Sequence, residues 1–281
     1  MLADEIRANV KCALEEDLGG VIDLKQDLTA QLIPADRVNQ AKIITREAGI
    51  FCGKEWVDEI YRQLGGDVTL NWSVEDGQEI FPGQELCALS GNARTMLTAE
   101  RCSLNFLQTL CGVATVVNAY AKAIAGTSCR LLDTRKTIPG LRAALKYAVK
   151  TGGGNNHRFG LYDMYLIKEN HILSCGGIVE AISKARELNK DLPIEIEVET
   201  IDELKLALEA KADIILLDNF DYSMIEEAVQ ICDHQAKLEI SGNVTLETIT
   251  RFAATGVDYI SVGALTKNIR ALDLSMRFLK D

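Results

Sequence analysis

From about residue 129 onward the chain alternates short apolar runs with helix-like segments. The runs are CRLLD, MYLIK, IEIEVE, DIILLD, KLEIS and VDYISVG. Between them lie PGLRAALKYAVK, GGIVEAISKARELN, IDELKLALEA, YSMIEEAVQICD and TLETITRFAAT. This alternation is that of repeated βα units. Strands so continuously apolar are buried on both faces, which favours a parallel sheet or barrel. No G-x-G-x-x-G follows a strand, and G-x-x-x-x-G-K-[ST] is absent. Dinucleotide-binding and P-loop sheets lose their main support, and an incomplete β/α barrel is the expected architecture.

The first hundred residues read differently. AKIITREAGIFC and DVTLNWSVEDGQEIFPGQELCALSG look like strands joined by Gly- and Pro-containing turns. GKEWVDEIYRQLGG is a helix between them, ended by Gly65 and Gly66. This is an α+β module. RTMLTAERCSLNFLQTLCGVATVVNAYAKAIAG then predicts a long helix with a break at Gly112. A boundary near 108 follows: 1–108 form the first domain, 109–266 the barrel, and 267–281 are expected to return to the first domain.

Charge and cysteine usage narrow the function classes. The formal net charge of -11 argues against nucleic acid as a partner, since phosphate neutralisation needs a basic surface. The acidic start of the chain is unlike a signal peptide, and no run approaches 18 uncharged apolar residues, so neither export nor a membrane is expected. Eight cysteines, none spaced as CxxC, read as free thiols of a reducing, cytoplasmic setting rather than as zinc ligands or disulfides.

One basic island opposes the acidic trend. Residues 130–168 carry eight Lys or Arg against Asp133 and Asp163, which points to a small anionic ligand. Arg142, Lys146 and Lys150 recur at i, i+4, i+8 and read as a solvated helix face. Arg135, Lys136, Arg158 and Lys168 fit no single helix. Each predicted barrel strand ends on a polar or glycine residue: Asp133, Lys168, Glu197, Asp218, Ser241 and Gly263. Such ends converge on one barrel mouth, where active sites lie. A single charge there is more often a cap or turn residue; six strands repeating the pattern favour a shared site. Arg135, Lys136, Arg158 and Lys168, with His157, would ring an anion bearing more than one carboxylate. The Gly152–Asn156 run before His157 permits positive φ and close approach to a ligand. Glu195, Glu197 and Glu199 share one strand face, tolerable beside cations or a metal. With Asp218 they suit Mg2+ or ribose hydroxyls; an exposed strand face is the bland alternative. Ser241, Gly242 and Asn243, with Val262, Gly263 and Ala264, are small enough to turn backbone N–H groups toward a phosphate. These readings describe a mouth without naming its reaction.

Together, DTRKTIPGLR, KYAVKTGGGNNHRFGLYDMYLIKENH, EIEVET, ILLDNF, EISGNVT and YISVGALT resemble quinolinate phosphoribosyltransferases in order and spacing. EEDLGG, DLT and AERCSLNFLQTLCGVAT extend the likeness into the first half, with a departure between Gly19 and Asp27, where the segment is longer and less glycine-rich. The resemblance implies an N-terminal α/β sandwich, an open seven-stranded α/β barrel and a homodimer or larger assembly. It implies that Thr134, Arg135, Lys136, His157, Arg158 and Lys168 bind quinolinate, with Arg101 supplied to the neighbouring subunit's site. It places Glu197 and Asp218 at the ribose and Mg2+, and Ser241, Gly242, Asn243, Val262, Gly263 and Ala264 at the phosphates of phosphoribosyl pyrophosphate. Lys136 or Lys168 would assist decarboxylation. Three other readings compete: a phosphoribosyltransferase for a one-carboxylate acid such as nicotinate, a barrel aldolase or isomerase using Lys168 as a Schiff base, and a non-catalytic anion binder.

Overall fold

The computed structural model describes residues 2–279; Lys280 and Asp281, part of the segment expected to return to the first domain, lie outside the described residues. The chain opens with α1 (Leu2–Asp17), β1 (Val38–Thr45), β2 (Gly49–Ile50), α2 (Lys54–Gln63), β3 (Val68–Trp72), β4 (Glu79–Ile80), β5 (Glu85–Asn92) and α3 (Ala93–Ala123). It continues through β6 (Arg130–Leu132), α4 (Arg142–Thr151), β7 (Tyr165–Ile167), α5 (Glu169–Cys175), α6 (Ile178–Leu188), β8 (Ile194–Val198) and α7 (Ile201–Glu209). The last elements are β9 (Ile214–Leu217), α8 (Tyr222–Cys232), β10 (Lys237–Ile240), α9 (Ile249–Ala253), β11 (Tyr259–Ser261), α10 (Ala264–Lys267) and β12 (Leu274–Phe278).

Two compact units divide these elements. The first takes the residues up to Asn118, Ile138–Gly153 and those from Thr266 onward; the second takes Ala119–Thr137 and Gly154–Leu265. The sequence boundary near 108 therefore lies about ten residues before the observed division at Asn118 within α3, and PGLRAALKYAVK groups with the first unit rather than the barrel.

The first unit holds a four-stranded antiparallel sheet in the order β12-β1-β5-β3, plus the short pair β2-β4. Alternation sets its inner face: Ala41, Ile43 and Thr45 of β1 are buried while their neighbours are not. α3 runs unbroken for 31 residues, so the break expected at Gly112 does not occur. The glycine has a packing cause instead: a Cβ there would sit 2.2 Å from the carbonyl oxygen of Arg270. By length and composition α3 could cross a membrane, but 56% of its most apolar window is buried in the structure, which accounts for that apolarity as core. α4 corrects a second expectation. Lys146 is fully buried among Ala144, Leu145, Ala148 and Val149, so Arg142, Lys146 and Lys150 do not form one solvated face.

The second unit is a parallel sheet in the order β6-β11-β10-β9-β8-β7, with helices between successive strands. The first strand, β6, pairs with the last, β11, which is the wrap of a barrel. Six strands are described rather than seven. What adds to the free edge of β6 is a single parallel bridge between Leu132 and Asn155, closed by Asn155 N donating to Leu131 O and Asp133 N to Asn155 O. The Gly152–Asn156 run is thus partly a sheet edge; among its residues only Gly153 adopts positive φ. Outward-facing Ile194, Ile196 and Val198 are fully buried, so β8 is covered on both faces as its composition requires. Thr200 caps α7 by accepting from Glu203 N, and Asp221 caps α8 by accepting from Met224 N. The eight cysteines are free, and six are buried.

Candidate active site

Strand register determines which side chains meet. Ile167 lies beside Ile196, Val198 beside Leu217, Leu217 beside Ile240, and Ser261 beside Leu132. The strands therefore end at one level, and the residues that follow crowd one mouth. A cavity of about 250 Å³ opens there, lined by Thr134, Arg135, Lys136, His157, Arg158, Leu166, Lys168, Leu216, Glu239, Ser241 and Ser261. All belong to the second unit. The cations that sequence pattern singled out are thus brought together, with Leu166 and Leu216 as apolar wall.

Local bonds hold these cations in place. Lys136 N donates to Thr134 Oγ1 at 3.0 Å. Arg158 Nη1 donates to Met164 O at 3.2 Å, while the Asp163 carboxylate accepts from Phe159 N and Gly160 N. Lys168 N donates to His171 Nδ1 at 3.0 Å, and its ammonium pairs with Glu197. Burial pulls the Arg158 guanidinium below its ordinary range, and the charge of Arg135 adds to that. Two guanidiniums pressing on one another in a half-buried cleft form a site that gains from an anion.

His157 sits differently from the cations. Its backbone N donates to Asp133 Oδ1 at 2.8 Å, and its Nδ1 accepts Arg158 N at 2.8 Å. Its Nε2 lies 2.8 Å from Glu195 Oε2 and 3.6 Å from Glu239 Oε2. Glu195 and Glu239 are 0% and 1% exposed. Burial, then the neighbouring Glu195, raises the Glu239 carboxyl to about 8.

The acidic residues divide. Glu195 points into the barrel and is buried, Glu197 is half-buried against Lys168, and Glu199 is exposed beyond the strand end. The exposed-face reading of all three fails for Glu195. The Glu199 carboxyl is raised by desolvation first, then by Glu169 and Asp218, so the acids at this rim feel one another. Asp218 accepts from Asn219 Nδ2 at 3.0 Å. Glu197 and Asp218 do not line the cavity itself, nor do Gly242, Asn243, Val262, Gly263 and Ala264. Gly263 is nevertheless at the site: a Cβ there would meet Lys136 Cδ at 3.1 Å and Thr134 Oγ1 at 3.4 Å. Gly242 and Asn243 both take positive φ, 87° and 47°. Arg101 is exposed on α3 in the first unit.

Glu239 and Ser261 line the cavity but were not among the residues singled out from sequence. The signal was available. In KLEIS, Glu239 shares a strand face with Ser241, and Ser261 shares one with Gly263, because the period is two.

Comparison with known proteins covers the whole of this architecture. A family model described as quinolinate phosphoribosyl transferase, C-terminal domain, matches residues 113–277, and its N-terminal counterpart matches 27–111. A nicotinate-nucleotide pyrophosphorylase (carboxylating) of Mycobacterium leprae is 41% identical over 280 residues, 97% of each chain. A probable enzyme of the same name from Bacillus subtilis is 40% identical over 89% of this chain and 87% of its own. The solved nicotinate-nucleotide pyrophosphorylase of Francisella tularensis superposes with a TM-score of 0.94 at 47% identity, covering 99% of this chain and 97% of that one.

Proposed function

From the premise that this chain belongs to the quinolinate phosphoribosyltransferase family, which both domain matches and the relatives establish, we infer how its barrel mouth performs the family's reaction. The enzyme is a pentosyltransferase. It moves the 5-phosphoribosyl group from phosphoribosyl pyrophosphate to quinolinate and yields nicotinate mononucleotide, pyrophosphate and CO2 for NAD biosynthesis. The observation that carries the site assignment is the convergence of Arg135, Lys136, Arg158 and Lys168 on one cavity with apolar Leu166 and Leu216.

In this reading Arg135 and Arg158 take the two carboxylates of quinolinate, since guanidinium forks match carboxylates. Leu166 and Leu216 face the pyridine ring. So held, the ring nitrogen is aligned with C1 of the ribose, and alignment is a large part of the rate. Glu197 and Asp218, oxygen donors among mutually repelling acids, suit Mg2+. Bound there, the ion would neutralise the pyrophosphate leaving group. As the C1–O bond breaks, Glu197 and Asp218 favour the positive charge growing on the ribose. Attack by nitrogen leaves a pyridinium. When the C2–carboxylate bond then breaks, CO2 departs and its electron pair stays at C2, beside the cationic nitrogen, before C2 takes up a proton. The ammonium of Lys136 or Lys168 stabilises that charge. Ser241, Gly242 and Asn243, with Val262, Gly263 and Ala264, present backbone to the phosphates. Arg101 is assigned to the neighbouring subunit's pocket in a homodimer, and the free thiols fit a reducing cytoplasm.

A one-carboxylate acid such as nicotinate would leave part of this cationic set facing itself. Purified protein given Mg2+, phosphoribosyl pyrophosphate and either acid is expected to release pyrophosphate with quinolinate alone. Release with nicotinate alone would reverse the substrate assignment.

A further inference from the structure

His157, Glu195 and Glu239 offer three ligating atoms within 4.8 Å of one another. That grouping is open to two uses, a cation site or a hydrogen-bonded clamp. The histidine decides between them. A metal-bound imidazole donates its second ring N–H outward. Here the second nitrogen, Nδ1, is an acceptor, because Arg158 N points at it from 2.8 Å. A backbone N–H leaves Nδ1 no room for a proton of its own, so the ring proton resides on Nε2. Nε2 faces the two buried carboxyls. Glu195 Oε1, Glu195 Oε2 and Glu239 Oε2 accept no well-aligned hydrogen bond among the described residues, which leaves His157 Nε2, 2.8 Å from Glu195 Oε2, as the donor placed to serve them. A buried acceptor with a single available donor holds that donor strongly.

We propose that Glu195, backed by Glu239, is a positioning residue for the quinolinate pocket: it fixes His157 as the Nε2–H tautomer, and His157 Nδ1 in turn anchors the backbone that carries the Arg158 guanidinium. The chain of contacts is short. Glu195 lies in β8, in register with Leu166, a wall of the cavity. His157 is tied to β6 through Asp133. Arg158 follows directly and takes its second restraint from Met164 O. The carboxyl pair therefore acts on one substrate, the dicarboxylate, and not on the acids Glu197 and Asp218 at the rim. Glu239 is suited to the supporting place: it is buried beside Glu195, and burial, then Glu195, raises its carboxyl against the opposing pull of His157 and Ser261.

The inference rests on the proposed quinolinate site, and two measurements separate its failure from that site's. Long-range 1H–15N NMR of the wild-type protein, assigned with His171→Gln and His234→Gln variants, reads the His157 tautomer without any turnover. Nε2–H is expected; Nδ1–H or a doubly protonated ring near pH 7 overturns the proposal even in a fully active enzyme. Steady-state kinetics of Glu195→Leu should show the KM for quinolinate raised roughly tenfold to hundredfold, with the KM for phosphoribosyl pyrophosphate unchanged. Glu195→Gln, which keeps an acceptor oxygen, should restore it. Equal movement of both KM values, or none, overturns the proposal. If Glu195→Leu does not fold, the wild-type tautomer and the Gln variant decide alone. Absence of turnover with quinolinate in the wild-type protein would sink the substrate assignment and leave the tautomer result standing.

Discussion

At the scale of single residues, the site is a contest between desolvation and charge. Arg135 and Arg158 share a half-buried cleft in which the charge of one acts on the other, and in the proposed function a dicarboxylate would relieve both. Arg135→Ala should leave one carboxylate unpaired at a cost of about 2–5 kcal/mol, which is roughly a 30-fold to 5,000-fold loss in kcat/KM for quinolinate. An unchanged kcat/KM would contradict the assignment. Glu239 makes a second residue-scale prediction, in pH. Its carboxyl is raised from 4.5 to about 8 by burial, then by Glu195, against the opposing pull of His157, Ser261 and Lys168. The folded state therefore binds a proton that the unfolded state gives up near 4.5. This contribution to stability is complete below that value and is lost as pH rises through about 8. Glu239→Gln, which mimics the protonated form, should flatten the fall of Tm across this window; an identical pH profile would refute the buried-proton account. The cations after strand ends were legible because apolar runs frame them. Glu239 was passed over, because one charged residue inside a short apolar strand looks like a surface alternation unless the face it shares with Ser241 is weighed.

At the scale of elements, periodicity carried most of the information and sequence distance hid the rest. The six apolar runs became β6 through β11, and GKEWVDEIYRQLGG became α2, with Gly65 and Gly66 in left-handed backbone just past its end. Gly112 was misread because a glycine within a helix ordinarily costs stability. Its reason, the approach of Arg270 O to 2.2 Å from a would-be Cβ, lies far along the chain. Gly112→Ala should destabilise the protein by about 1–3 kcal/mol despite the better helix propensity of alanine. Chemical denaturation measures this, and a more stable variant would contradict the packing reading. Lys146 was hidden in the same way: a basic residue at helical spacing looks solvated, and only tertiary packing shows it buried.

At the scale of the whole molecule, the α/β class and the open parallel barrel were legible from alternation alone. The number of strands was not. The resemblance implied seven strands; six are described, with a single bridge at Asn155 beside β6, too short for any periodicity. The excursion Ile138–Gly153 into the first unit was also invisible, since its helical pattern resembles that of every other βα unit. What the fold contributes is alignment of strand ends, which turns scattered Arg and Lys residues into one pocket, the pocket we propose for a substrate with two carboxylates. The most direct test follows the carboxylate itself. Purified protein with Mg2+ and phosphoribosyl pyrophosphate is given quinolinate labelled with 13C in either the 2- or the 3-carboxylate. Label from the 2-carboxylate should appear as CO2, one for each pyrophosphate released, while label from the 3-carboxylate stays in the mononucleotide. Pyrophosphate release without labelled CO2, or CO2 drawn from the 3-carboxylate, would contradict the account.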